Sequence, residues 1–227
     1  MKLAIDNDFF CKTVLLGLAD RILSTFEASA ADCVLLPSLA PQLRNCKRSS
    51  KVFRAYENDA EVLLAEIARF GEMDAQAVDS QWLDKLASVD GIDPGEAQLL
   101  AYVASTNAVL LATHDKVCLR AIPEVEGLVD AIAGRVVIVE TALLHLCETL
   151  GFAEVHGHVQ QHLARTKDTA IRSCFGGRRE RSRWTEFVHR DDPARDQSQD
   201  FLDPLANPRA EPRTRGERRL SRSPTVG

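Results

Sequence analysis

Four short apolar runs recur along the chain: Lys2 to Ile5, Cys33 to Leu36, Ala108 to Ala112 and Arg135 to Val139, each followed by a longer stretch of helical periodicity. Runs of that length, bounded by acids or proline, read as strands. Strands separated by helices cannot close as hairpins, so they must pair in parallel with helices covering the faces. The expected fold class is therefore α/β, a three-layer α-β-α arrangement on a short parallel sheet.

Between the runs, Phe10, Val14, Leu15, Leu18, Ile22 and Leu23 fall at helical spacing and predict one helix over Phe9 to Phe26. Pro41 to Arg69 reads as another helix, with Val62, Leu63, Ile67 and Phe70 on one face, and Asp79 to Leu86 opens a third; together they form a helical insertion. Asp93-Pro94-Gly95-Glu96 carries the signals of a helix start, since Asp caps, Pro suits the first turn and Glu favours the positive end. That helix runs to about Ser105 and leads into the third strand. Helices from Lys116 to Ile122 and from Thr141 to Leu150 complete the α/β pattern, and a further amphipathic helix is expected from Val155 to Ile171.

This gives an α/β domain over 1–150, a helical extension over 151–175 and a disordered Arg-rich tail over 176–227. The tail holds five of the nine prolines and lacks any apolar period. It carries 12 Arg against 9 acids, so +3, which leaves −8 for the rest of a chain whose net charge is −5. The body is acidic and the tail mildly basic. The six cysteines form no CxxC pair and sit in apolar stretches, as buried thiols of a reducing compartment do. Asp6 interrupts the N-terminus too early for a signal peptide, and no run approaches a membrane span, so a soluble cytoplasmic protein without a membrane partner is expected.

In an open parallel sheet, ligands bind beyond the carboxyl ends of the strands, where Asp6, Asp8 and Asp115 stand. Glu96 opens a helix that leads into a strand, which would put it at the strand-start side unless the preceding loop carries it across. Three segments here resemble the motifs of PIN domains. AIDNDFF resembles their first strand ending in acid; GIDPGEAQLLAYVAS their GEA-type helix start; and VLLATHDKVCLRAI their strand ending in Thr-x-Asp. VVIVETALLHLCETL resembles the last strand and helix of the GEA-motif subgroup, so the likeness covers roughly Met1 to Leu150.

The resemblance implies that Glu96 reaches the same sheet edge as Asp6 and Asp115. It also implies a Mg²⁺- or Mn²⁺-dependent endoribonuclease, with RNA as substrate, such as the toxin of a toxin-antitoxin pair, with an antitoxin protein as partner and a homodimer as assembly. These ions prefer hard oxygen ligands, and their charge offsets that of a phosphate. Asp6 and Asp115 would be direct ligands, Glu96 a third ligand or the group that orients the attacking water, Asp8 an outer ligand, and Thr113 a hydrogen-bond partner for a carboxylate. The pattern departs at one place. PIN nucleases carry another acid on the helix after the second strand, where this chain has Gln42 and no carboxylate before Glu57. A catalytically degenerate scaffold that binds protein or RNA is the alternative.

Asp6-Asn7-Asp8 also fits the nucleophile motif of haloacid dehalogenase phosphatases, but Phe10 stands where a small residue is expected and no later Gly-Asp-x-x-x-Asp motif follows. Arg44, Lys47, Arg48, Lys51 and Arg54, at helical spacing, form a candidate strip for an RNA backbone. His156, His158 and His162 lack a completing Cys or acid and read as surface or packing histidines.

Overall fold

A computed structural model describes residues 2–46, 51–107, 109–166 and 168–175. The tail over 176–227, where disorder is expected, lies outside them, as do Lys47 and Arg48. The elements are β1 (Lys2–Ile5), α1 (Asn7–Leu15), α2 (Ala19–Thr25), β2 (Cys33–Leu35), α3 (Leu39–Arg44), α4 (Lys51–Arg54), α5 (Ala60–Ile67), β3 (Gly71–Glu72) and α6 (Ser80–Leu86). They continue with α7 (Pro94–Ser105), β4 (Val109–Thr113), α8 (Lys116–Ala121), α9 (Leu128–Ile132), β5 (Val136–Ile138), α10 (Val139–Leu150), α11 (Phe152–His162) and α12 (Thr169–Phe175).

The strands form one parallel sheet in the order β3-β2-β1-β4-β5. Successive side chains point to opposite faces, and both faces are apolar, as a sheet covered on both sides requires. Leu3, Ile5, Cys33, Leu35, Leu110, Ala112 and Val137 join a core with residues of α1, α2, α10 and α11. Ala4, Leu36, Val109, Leu111 and Val136 join a second core with residues of α7, α8 and α9. The chain is thus the three-layer α/β fold expected.

Several boundaries differ from the sequence expectation. The single helix over Phe9 to Phe26 is two, because Gly17 takes a left-handed φ of 66°. There the Leu18 amide donates to Thr13 O and the Gly17 amide to Val14 O, both at 2.9 Å, which closes α1 with a paired C-terminal cap. The helix over Pro41 to Arg69 is three short ones; at the end of α3 the Asn45 side chain donates to Pro41 O at 3.0 Å, competing for a helical carbonyl. β3 was not expected at all, since it is two exposed residues with no apolar pattern. The helix over Val155 to Ile171 begins earlier, at Phe152, and divides into α11 and α12.

The extension does not stand apart from the domain. Val155, Val159, Ile171 and Phe175 are buried in the same core as Leu3 and Phe10, and Phe175 stacks on Phe152 with ring centroids 6.0 Å apart.

Candidate active site

At the end of β1, the ladder to β4 gains one further bond, from the Asp6 amide to Ala112 O at 2.8 Å. Asp6 therefore leaves a central strand beside the end of β4, with Thr113 Oγ1 3.5 Å from its Oδ2. That same hydroxyl accepts from the Asp115 amide at 3.2 Å. Asp115 in turn caps α8, its Oδ1 accepting from the amides of Val117 and Cys118 at 2.7 and 2.9 Å.

Glu96 arrives from α7. This helix has 12 residues, about 18 Å at ~1.5 Å per residue, and it ends just before β4. Its N-terminus must then lie at the carboxyl edge of the sheet. The strand-start placement is corrected by the length of the helix, not by the loop before it. At that N-terminus Asp93 Oδ1 accepts from the Gly95 and Glu96 amides at 2.7 and 2.8 Å, and Glu96 Oε2 accepts from the Asp93 amide at 2.7 Å, a reciprocal cap. Gly95 packs closely there: a Cβ would come within 3.1 Å of Leu36 Cδ1, just after β2.

These acids feel one another. Burial first, then the charge of Asp8, with smaller contributions from Asp93 and Asp115, pushes the Asp6 carboxyl up to about 6 against the pull of the Asn7 amide. Burial, then Asp115, Asp93 and Asp6, pushes Glu96 up to about 8, although the Asp93 amide acts to lower it. Among the described residues no Lys, Arg or His pairs with Asp6, Asp93, Glu96 or Asp115.

A second set of charges, which the sequence reading passed over, occupies the neighbouring part of the same edge. Lys12 Nζ lies 2.7 Å from Asp8 and 2.8 Å from Asp168, His114 Nε2 lies 3.2 Å from Asp168, and Lys116 lies 3.1 Å from Glu140. The Tyr56 hydroxyl donates to Asp8 at 2.7 Å. His114 Nδ1 is 3.5 Å from Glu140, whose buried carboxylate is held by charge more than by directed hydrogen bonds. Burial alone would lower the pKa of His114, but Asp168 at 3.2 Å and the Glu140 charge at 3.5 Å lift it to about 9. Burial would raise Glu140, yet the bond and charge of His114, with Lys116, hold it down to about 2; Asp168 lies well below its usual range because His114 and Lys12 outweigh its burial. Two of these residues did leave a signal: Glu140 begins the helix directly after β5, and Lys12 stands one turn beyond Asp8. Asp168 left none.

The chain matches no family model, no curated protein and no solved structure. Its chemistry must be read from its own residues.

Their donor set suits a hard divalent cation, because Asp6, Asp93, Glu96 and Asp115 offer carboxylate oxygens and Asn7 Oδ1, next to Asp6, is buried without a hydrogen-bond partner. No three such groups stand gathered as a finished cage among the described residues. The reason is visible in the caps: Glu96, Asp93 and Asp115 each commit one oxygen to helix amides and keep the other. Asp8, expected as an outer ligand, is instead bound by Lys12 and Tyr56. Of the basic strip, Arg44 and Arg54 are exposed at the ends of two separate helices, α3 and α4, whereas Lys47 and Arg48 lie outside the described residues. The described part of Lys51 opens α4. His158 Nε2 lies 2.8 Å from Gly17 O and its ring 5.2 Å from that of His162, a packing role.

Proposed function

We propose that this chain is a PIN-like, divalent-metal-dependent endoribonuclease whose reaction centre is the group Asp6, Glu96 and Asp115, with Asp93 beside them. One observation carries the reading: at the carboxyl edge of a parallel sheet, four acids from three separate chain segments lie close enough for their charges to act on one another, with no cation among the described residues paired to them, while Asp8, Glu140 and Asp168 beside them are paired. Unpaired anions in a half-buried site raise each other's pKa values and lower stability, an arrangement that a bound cation relieves.

Asp6 and Asp115 would hold Mg²⁺ or Mn²⁺, which supplies positive charge against the phosphodiester in the transition state. Thr113 orients the pair, since its hydroxyl lies between the Asp6 carboxylate and the Asp115 amide. Glu96 keeps one carboxylate oxygen free of its helix cap, and with the metal's charge beside it holding it ionised it would take a proton from an attacking water. RNA is the substrate class that the likeness to PIN domains implies.

The test is cleavage of single-stranded RNA by the full chain with Mg²⁺ or Mn²⁺, compared with Asp6→Asn and Glu96→Gln. A loss of about a hundredfold or more in both variants, with the cooperative thermal unfolding of the wild type retained, is expected. Cleavage that persists in Asp6→Asn, or in EDTA, would move the chemistry elsewhere. A second reading, a scaffold that binds RNA or protein without cutting it, is favoured by the amide of Gln42, which stands beside Asn7 where an acid would add a ligand. Metal-dependent cleavage decides against it.

A further inference from the structure

Beside the acidic edge lies a cavity of about 210 Å³ that the proposed chemistry does not use. Its walls include Leu15, Ala55, Tyr56, Thr166 and Arg165, with Lys12 and Asp168. Two of these wall residues bond the same carboxylate, Asp8: Lys12 at 2.7 Å and the Tyr56 hydroxyl at 2.7 Å. Asp8 is two residues beyond Asp6 and is the neighbouring charge that acts most strongly on it. The cavity and the reaction centre therefore share a support.

We infer that this cavity is a subsite for one unstacked nucleobase of the RNA, next to the bond that is cut, with Arg165 placed for the adjoining phosphate. The inference rests on the ribonuclease reading but stands on separate residues. Size speaks first. At 210 Å³ the cavity is smaller than the roughly 300–1,000 Å³ of sites for drug-sized ligands, so it suits a single ring system and not a dinucleotide. Chemistry then separates a base from a bare phosphate. Leu15, Ala55 and the Tyr56 ring give apolar walls, and Asp168 adds a carboxylate, neither of which a phosphate would select. A base has apolar faces and an edge of donors and acceptors.

The polar groups suit such an edge. Lys12 has three donor positions, and Asp8 and Asp168 take two of them. The Thr166 hydroxyl accepts from the Asp168 amide at 3.2 Å and keeps its own proton to give. Tyr56 is fixed through its hydroxyl, so an aromatic wall is held in place before any ligand arrives. Arg165 is exposed on the wall of the cavity.

The experiment uses the full chain in EDTA, so that binding is read without cleavage. Affinities are measured for single-stranded oligomers of A, C, G and U, for the four mononucleotides and for inorganic phosphate. One oligomer should bind at least about tenfold more tightly than the others, with its mononucleotide weaker than the oligomer but above phosphate. Ala55→Leu, which fills the cavity, should remove the preference, and Arg165→Ala should weaken binding of every oligomer while keeping it. Equal affinities for all four oligomers, a preference that survives Ala55→Leu with normal unfolding, or a mononucleotide that binds more tightly than its oligomer would each overturn the inference. If Ala55→Leu does not fold, Tyr56→Phe replaces it: the ring loses its anchor, and the preference should fall by several-fold. The two readings fail separately. Base-selective binding without metal-dependent cleavage removes the nuclease and leaves the subsite, whereas cleavage that shows no base preference removes the subsite alone.

Discussion

Asn7 Nδ2 donates to Gln42 Oε1 at 3.3 Å, so α3 meets the acidic strand end with an amide. The contact joins the residue after Asp6 to the helix after β2, and it brings no charge to the site. Gln42→Glu should therefore add a carboxylate beside the proposed metal site. An added carboxylate near a bound divalent cation is worth a good part of a Coulomb interaction at an effective dielectric of about 20, so binding of Mn²⁺ should tighten by about tenfold. Titration of the metal into wild type and variant checks this; an unchanged affinity would show that α3 does not face the metal.

The acidic group should make stability fall with rising pH unless metal is present. Folding raises Asp6 from 3.8 to about 6 and Glu96 from 4.5 to about 8, so each favours the folded chain while protonated. That contribution is present at low pH and is lost as pH rises, over about 4 to 6 for Asp6 and about 4.5 to 8 for Glu96. His114, raised from 6.5 to about 9, adds stability below 6.5 that is also lost by about 9. Glu140, lowered from 4.5 to about 2, acts oppositely, and its contribution is lost as pH falls below 4.5. The unfolding midpoint in EDTA should thus be highest near pH 4.5, where Glu140 is fully ionised and Glu96 is still protonated, and decline toward 9. Adding Mg²⁺ should raise it at pH 8 and scarcely at pH 5. An equal shift at both pH values would count against binding at these acids.

Asp168 should matter to the pairing of charges more than to the reaction centre. Asp168→Ala leaves Lys12 and His114 without a shared anion, although Asp8 and Glu140 still hold one side of each. Removing one member of a buried ion pair costs ~3–5 kcal/mol, and the remaining partners and partial solvent access reduce this to about 2–3 kcal/mol. The pKa of His114, followed by NMR, should fall from about 9 toward its usual value. A His114 titration that does not move would mean that Glu140 alone holds the ring charged.

The parts of this molecule that the sequence revealed are those with a local physical signature. The apolar runs of β1, β2, β4 and β5 announced a buried parallel sheet, and Asp93-Pro94-Gly95-Glu96 announced the start of α7, because capping acts within four residues. β3 was silent because its two residues are exposed at the sheet edge, where they pair with β2. The break at Gly17 was legible in principle, but the apolar spacing on both sides continued across it. Asp6, Glu96 and Asp115 could be named from strand and helix ends, whereas Asp168 could not, since its partner Lys12 lies more than 150 residues earlier in the chain and nothing local records the meeting.

The extension should prove inseparable from the domain that precedes it. A boundary at Leu150 follows from the end of the α/β pattern, yet Val155, Val159, Ile171 and Phe175 are 0–2% exposed and lie in the core that also holds Leu3, Phe10 and Leu146. Burying such side chains is worth ~1.5–3 kcal/mol each, so four of them amount to about 6–12 kcal/mol, comparable with the whole ~5–15 kcal/mol of a typical domain. A chain ending at Leu150 should therefore fail to fold cooperatively, and it would also lack Asp168, Thr166 and Arg165. The milder Phe175→Ala removes one ring that stacks on Phe152 and should cost ~3–5 kcal/mol, which lowers the midpoint by about 10 °C in a chain of this size. Both are read by thermal unfolding followed by circular dichroism. A truncated chain that melts cooperatively at the wild-type midpoint would show that α11 and α12 only rest on the surface, and the burial of Phe175 argues that they do not.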